Sequence, residues 1–130
     1  MKPIIFTFLV LFFGCFAGCD NSDDDIDDPT IYGSWNLMNI SGGLAGVDND
    51  FERGTIIWTF DGNSSELTVE NNNTEEIIDG LDSRTYMFSI SGSDTLFVEG
   101  GRLGVYTVSE TQLVIDQGVA SDGFLLKFER

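Results

Sequence analysis

Tyr32-Gly33-Ser34-Trp35-Asn36-Leu37-Met38 (YGSWNLM) puts Trp35 and Leu37 on one face of an extended chain and Ser34 and Asn36 on the other. That is the period of a half-buried strand. The same period governs most of the chain beyond it. Thr55–Phe60 aligns Ile56, Trp58 and Phe60, Glu66–Glu70 aligns Leu67 and Val69, and Arg84–Ile90 aligns Tyr86, Phe88 and Ile90. Thr95–Glu99, Val105–Val108, Gln112–Asp116 and Phe124–Glu129 complete a set of eight short strands. Asp61-Gly62-Asn63-Ser64 and Ser91-Gly92-Ser93-Asp94 are turn signals between them. Amphipathic helical spacing is not evident anywhere: Glu75–Leu81 suits one helical turn at most, and Asn71-Asn72-Asn73-Thr74 reads as loop. Consecutive strands joined by short links pair with their neighbours, and eight of them remove their free edges by closing. The expected fold is all-β, an eight-stranded antiparallel meander barrel over residues 30–130.

The whole chain has 130 residues, one domain's worth, with 6 Lys plus Arg against 22 Asp plus Glu, a net charge of −16. Six of the acids lie between Asp20 and Asp28; the remaining sixteen face five bases (Arg53, Arg84, Arg102, Lys127, Arg130), so the barrel portion is itself acidic. Such a surface repels phosphate backbones, which excludes nucleic acid as a partner. The chain has no histidine, and with it go the usual general base near neutral pH and the commonest metal ligand.

Ahead of the barrel, Met1-Lys2-Pro3 is a short basic start and Ile4–Phe13 is apolar apart from Thr7. That run is too short for a membrane span of about 20 residues and suits the core of a secretory signal. Ala17 and Gly18 then precede Cys19. The arrangement resembles the lipobox of bacterial lipoproteins, although Phe16 stands where that family usually has leucine. Cys15 after Gly14 competes for the role, but bulky Phe13 stands against it. The resemblance implies a signal peptide at residues 1–18, cleavage before Cys19 and acylation of that cysteine. An ordinary signal peptide with an incidental cysteine is the alternative. After cleavage Cys19 is the single cysteine, so no internal disulfide can form. Ser22-Asp23-Asp24-Asp25 resembles the export signal that carries some Gram-negative lipoproteins to the outside of the outer membrane. It is equally a solvated tether, since like charges repel and bind water, and the two readings of residues 19–29 are compatible. The implied location is the outer membrane, lipid-anchored and exposed at the cell surface.

Gly33-Ser34-Trp35 also has the Gly-x-Trp form of the first lipocalin strand. Thr59-Phe60-Asp61-Gly62-Asn63, Tyr106-Thr107-Val108 followed by Leu113-Val114-Ile115, and Phe128-Glu129-Arg130 match later strands of small lipocalin-like domains of bacterial lipoproteins in order and spacing. The resemblance covers residues 31–130. Disulfides, a C-terminal helix and recognisable second and third lipocalin motifs are missing. It implies that Gly33 and Trp35 form a plug at a closed end and that a late arginine, here Arg130, stacks on the tryptophan. First and last strands that pair antiparallel would also bring Trp35 and Arg130 together. The other reading makes Trp35 plain core and Arg130 a frayed terminus.

Chemistry is sparse. Asp48-Asn49-Asp50-Phe51-Glu52 has calcium-loop spacing at its start, but Arg53 replaces the required glycine, and a solvated loop between the first two strands is expected. Glu66, Glu70 and Glu99 fall on outward faces, and Ser109 has no evident base. Asp94-Thr95-Leu96 resembles a bacterial O-glycosylation acceptor and equally a turn into a strand. The inward aromatics Trp35, Trp58, Phe60, Tyr86, Phe88, Tyr106, Phe124 and Phe128 line or fill the barrel, and strands this short favour filling. Trp58, Phe60, Tyr86, Phe88 and Tyr106 are the candidate ligand-lining residues. The expected function is non-enzymatic, without metal or cofactor: a surface lipoprotein binding a small hydrophobic or glycan-derived ligand. The alternative is an interaction module, an accessory subunit of an outer-membrane assembly, meeting its protein partner through Ser41–Gly46 and Asn71–Leu81.

Overall fold

The structure, a computed structural model, describes residues 28–130. The signal segment, Cys19 and Ser22–Asp25 lie outside the described residues. The described residues form nine strands: β1 (Gly33–Gly42), β2 (Val47–Asp50), β3 (Ile56–Asp61), β4 (Glu66–Asn71), β5 (Arg84–Ser91), β6 (Thr95–Val98), β7 (Gly101–Val108), β8 (Gln112–Asp116) and β9 (Phe124–Glu129). A single 3-10 turn, Val119–Ser121, interrupts the link from β8 to β9. β1 and β3 to β9 pair in chain order, all antiparallel, and β9 returns to β1. The result is the closed eight-stranded meander barrel, with β2 as an additional strand beside β1.

β2 corrects the expectation of a solvated loop at Asp48–Glu52. The reason begins in β1, where the register against β9 shifts between Leu37 and Asn39. Such a bulge inserts an extra residue and kinks the strand. Trp35, Leu37 and then Ile40 therefore point inward, three residues apart at the second step. The Met38 carbonyl accepts from the Phe51 N–H at 2.9 Å, and the Asn39 side-chain amide donates to Asp48 Oδ1 at 2.7 Å and Asp50 Oδ1 at 2.8 Å. These bonds hold Val47–Asp50 against the second half of β1, while the first half pairs with β3. Phe51 is carried into the core at 7 % exposure. Gly42 marks the end of β1. Its φ is +113°, and a β-carbon there would sit 2.5 Å from the Gly123 carbonyl oxygen, so the β1–β2 turn and the β8–β9 link touch backbone to backbone. Glu75–Leu81 forms no helical turn.

The inward faces build one core. Trp35, Leu37, Ile56, Trp58, Leu67, Leu96, Leu113 and Ile115 have no exposed surface, and each contributes roughly 1.5–3 kcal/mol on burial. Phe60 meets Phe88 edge to face at 5.2 Å. Where β1 begins and β9 ends, the barrel is shut. Buried Ile31 crosses there, and its carbonyl accepts from Trp35 Nε1 at 2.7 Å. The Arg130 guanidinium lies 4.1 Å over the Trp35 ring, and its Nη2 donates to the carbonyls of Thr30 at 2.7 Å and Tyr32 at 2.9 Å. Arg53 reaches the same end, donating to the Arg130 carbonyl at 2.9 Å and to Glu129 Oε2 at 2.7 Å. That last pair is about half exposed and counts for little by itself.

Arg130 thus staples the segment that leads into β1. Arg130→Ala is expected to lower stability in urea unfolding by about 1–2 kcal/mol, from the lost stacking and carbonyl contacts. Arg130→Lys restores the charge without the planar two-carbonyl grip and recovers less than half. A loss under about 0.3 kcal/mol for Ala would make the contact incidental.

Candidate functional site

The end opposite Trp35 and Arg130 is the mouth of the barrel. The β1–β2 turn, the β4–β5 connection, the β6–β7 turn and the β8–β9 link meet there. A cavity of about 190 Å³ opens among them, lined by Ile40, Trp58, Leu81, Leu103, Phe124 and Leu126, with Ile78, Gly80 and Gln117 at its margin. Its walls are apolar because β1, β3, β7 and β9 each turn an inward side chain toward it.

The β4–β5 connection, residues 72–83, arches over this mouth, and the asparagine run at its root holds the arch in place. Asn71 Nδ2 donates to the Leu81 carbonyl at 3.2 Å, and its backbone N–H donates to Ser83 Oγ at 2.7 Å. Asn73 Nδ2 donates to the Glu75 carbonyl and to Asp79 Oδ2, both at 3.0 Å. Asn49 of β2 reaches the crest, donating to the Ile78 carbonyl at 3.0 Å. Gly80, at φ +89°, lies directly on the barrel: a β-carbon there would be 3.5 Å from Trp58 Cζ2 and 3.9 Å from Ile40 and Leu37. An L side chain disfavours that φ, and glycine permits it.

Trp58 is the floor. It is fully buried, 4.9 Å from Phe128 and 6.3 Å from Phe60 by ring centroids. Its Nε1 is buried and has no hydrogen-bond partner among the described residues. An orphaned donor costs about 1–3 kcal/mol, which sets Trp58 apart from Trp35, whose N–H is satisfied.

Of the five candidate lining residues, Trp58 lines the cavity and Phe60, Tyr86, Phe88 and Tyr106 do not. Phe60 and Phe88 pack together in the core. The Tyr86 hydroxyl donates to the Asp82 carbonyl at 2.9 Å, with Arg84 4.2 Å over its ring. Tyr106 is half-buried near Tyr32 and Asp94, toward the closed end; burial first, then those neighbours, raises its pKa. Gly33 and Trp35 begin β1, and Arg130 stacks on Trp35. Thr95 is half-buried at the start of β6, its hydroxyl 3.5 Å from Asp94 Oδ1. Ile40, Leu81, Leu103 and Leu126 join the site without having been singled out from the sequence; Ile40 is turned inward by the bulge in β1, and Leu81 arrives on a loop. Among the described residues no cluster of three or more metal-ligating side chains occurs.

Asp116 ties the β8–β9 link to the mouth. Its Oδ1 accepts from the N–H groups of Val119 at 2.9 Å and Gly118 at 2.8 Å, and those bonds lower its pKa below 3.8. Comparison with protein-family models, curated proteins and solved structures finds no match to this chain.

Two measurements check the site. Both tryptophans leave similar voids when replaced by Phe, but only Trp35→Phe strands a partner, the Ile31 carbonyl. Trp35→Phe is expected to cost about 1–3 kcal/mol more than Trp58→Phe in urea unfolding, and equal losses would contradict the assignment of Nε1 as orphaned. For Asp116, a carboxyl whose folded pKa is depressed stabilises the link above its unfolded value of 3.8 and stops doing so as pH falls through the lower folded value. The carboxyl should titrate by NMR below 3.8, with the Val119 and Gly118 amide signals moving at the same midpoint.

Proposed function

We propose that this chain is a lipid-anchored protein on the outer face of the outer membrane, and that its barrel mouth binds a small apolar molecule without transforming it. The apolar cavity of about 190 Å³ over Trp58 carries the reading. The barrel below Trp58 is filled by Phe60, Phe88 and Trp35, so a ligand sits at the rim and not along the axis. The Cys19 lipobox and the Ser22–Asp25 acidic run, both resemblances in the sequence, supply the anchoring and the address. The chain enters the barrel at its closed end, away from the mouth, which suits an anchor ahead of residue 28. The eleven residues from Asp20 to Thr30 reach about 35 Å when extended.

A second reading, an interaction module within an outer-membrane assembly, is favoured by one observation. Leu44, Ile77, Ile78 and Val119 are exposed large apolar residues, Leu44 at 89 %, and all four stand on mouth-side loops. Exposed apolar rims mark contact surfaces as well as ligand portals.

Fluorobenzene, a neutral single-ring probe that suits a cavity of about 190 Å³, is expected to shift and broaden in ¹⁹F NMR with the protein, and Leu103→Trp, which fills the cavity, is expected to abolish the effect. Native mass spectrometry of protein taken from its own membranes should show a bound small molecule. An unperturbed fluorobenzene signal, no bound mass and a recovered crosslinked protein would transfer the case to the interaction module. Cys19→Ala should eliminate metabolic labelling by a fatty-acid analogue; continued labelling would overturn the anchor.

A further inference from the structure

We propose that the mouth selects compact, single-ring-sized molecules that are neutral or cationic and carry one hydrogen-bond acceptor, and that the indole N–H of Trp58 receives that acceptor. The inference rests on the ligand-binding reading and names its chemistry. Size comes from the cavity: about 190 Å³ is a little more than the roughly 150 Å³ that accommodates benzene in an engineered cavity. The acceptor comes from the orphaned donor. Trp58 lines the cavity, and its Nε1 is buried without a partner among the described residues. The edge of the indole that carries Nε1 also carries Cζ2, and Gly80 lies against that edge. The arch bearing Gly80 is bonded at its roots through Asn71 and Ser83 and at its crest by the Asn49 amide on the Ile78 carbonyl, while the side chains of Ile77 and Ile78 are exposed. Where the arch moves outward at Gly80, this edge of the indole opens toward the cavity and a ligand acceptor completes the N–H. Gln117 is the other polar side chain at the margin and can orient the same group.

Charge excludes anions. Glu75, Glu76 and Asp79 stand on the arch, Asp116 at the end of β8 and Asp122 on the β8–β9 link. The bases at this end are Arg84 and Arg102, and Arg84 is engaged with Glu99 at 3.6 Å. A carboxylate approaching the mouth meets a field of its own sign, whereas a cation is drawn in.

The test uses full-length, uniformly ¹⁵N-labelled protein in lipid nanodiscs, with free probe fixed by equilibrium dialysis. The probes are toluene, acetophenone, benzylammonium and benzoate. Two indole N–H signals are present, and Trp35, bonded to Ile31, is the internal control. Acetophenone should shift the Trp58 signal and leave that of Trp35 in place, binding about tenfold tighter than toluene. Benzoate should bind at least about tenfold more weakly than acetophenone, and benzylammonium no more weakly than toluene. Trp58→Phe should erase the advantage of acetophenone over toluene while both still bind. If toluene and acetophenone bind equally and no indole signal moves, the donor role is overturned and the cavity stands. If benzoate equals acetophenone, charge selection is overturned. If no probe binds, the ligand-binding reading itself falls.

Discussion

Strand β1 pairs along both of its edges, and everything else in the domain depends on that. On one side β9 runs beside Asn36–Gly42; on the other, β3 takes Gly33–Asn36 and β2 takes Asn39–Gly42. Antiparallel closure of β9 on β1 removes two free edges that would otherwise invite pairing with another chain. The bulge between Leu37 and Asn39 divides the labour, because it re-aims Ile40 into the core and frees the Asn39 amide to hold β2. Among the described residues the edge left over belongs to β2, which is four residues long and carries Asp48 and Asp50, a poor template for further pairing.

Where the sequence kept strict alternation, the structure kept it too. Ile56, Trp58 and Phe60 in β3, Leu67 and Val69 in β4, and Leu113 and Ile115 in β8 all face the core as the period requires. β2 was illegible for a physical reason. Val47-Asp48-Asn49-Asp50 has no apolar face to announce, and what holds it is the backbone ladder to β1 together with the Asn39 side-chain amide on that strand. The second half of β1 was hidden by the bulge, which breaks period two between Leu37 and Ile40. The pairing of Arg130 with Trp35, expected from the Gly-x-Trp resemblance and from antiparallel closure, is present at 4.1 Å.

The site was less legible than the fold. Alternation tells which face a residue occupies but not its height along the barrel axis. Phe60, Phe88 and Tyr106 therefore shared an inward or half-inward placement with Trp58 and still ended away from the mouth. The arch was harder still. Asn71-Asn72-Asn73 has the composition of a linker, yet Asn71 and Asn73 spend their amides bracing the loop that brings Gly80 onto Trp58. Hydrophobic period carries no trace of such bonds, and a glycine against an indole is a contact between residues 22 positions apart in sequence.

The closed end has a mechanical meaning. Any pull transmitted along the chain ahead of Thr30 is delivered to the domain where Arg130 grips the carbonyls of Thr30 and Tyr32 and Trp35 holds that of Ile31. Load therefore passes into the β1–β9 and β1–β3 ladders through a clamp, far from the loops of the mouth. A domain built this way can be pulled at its entering chain while the mouth keeps its shape.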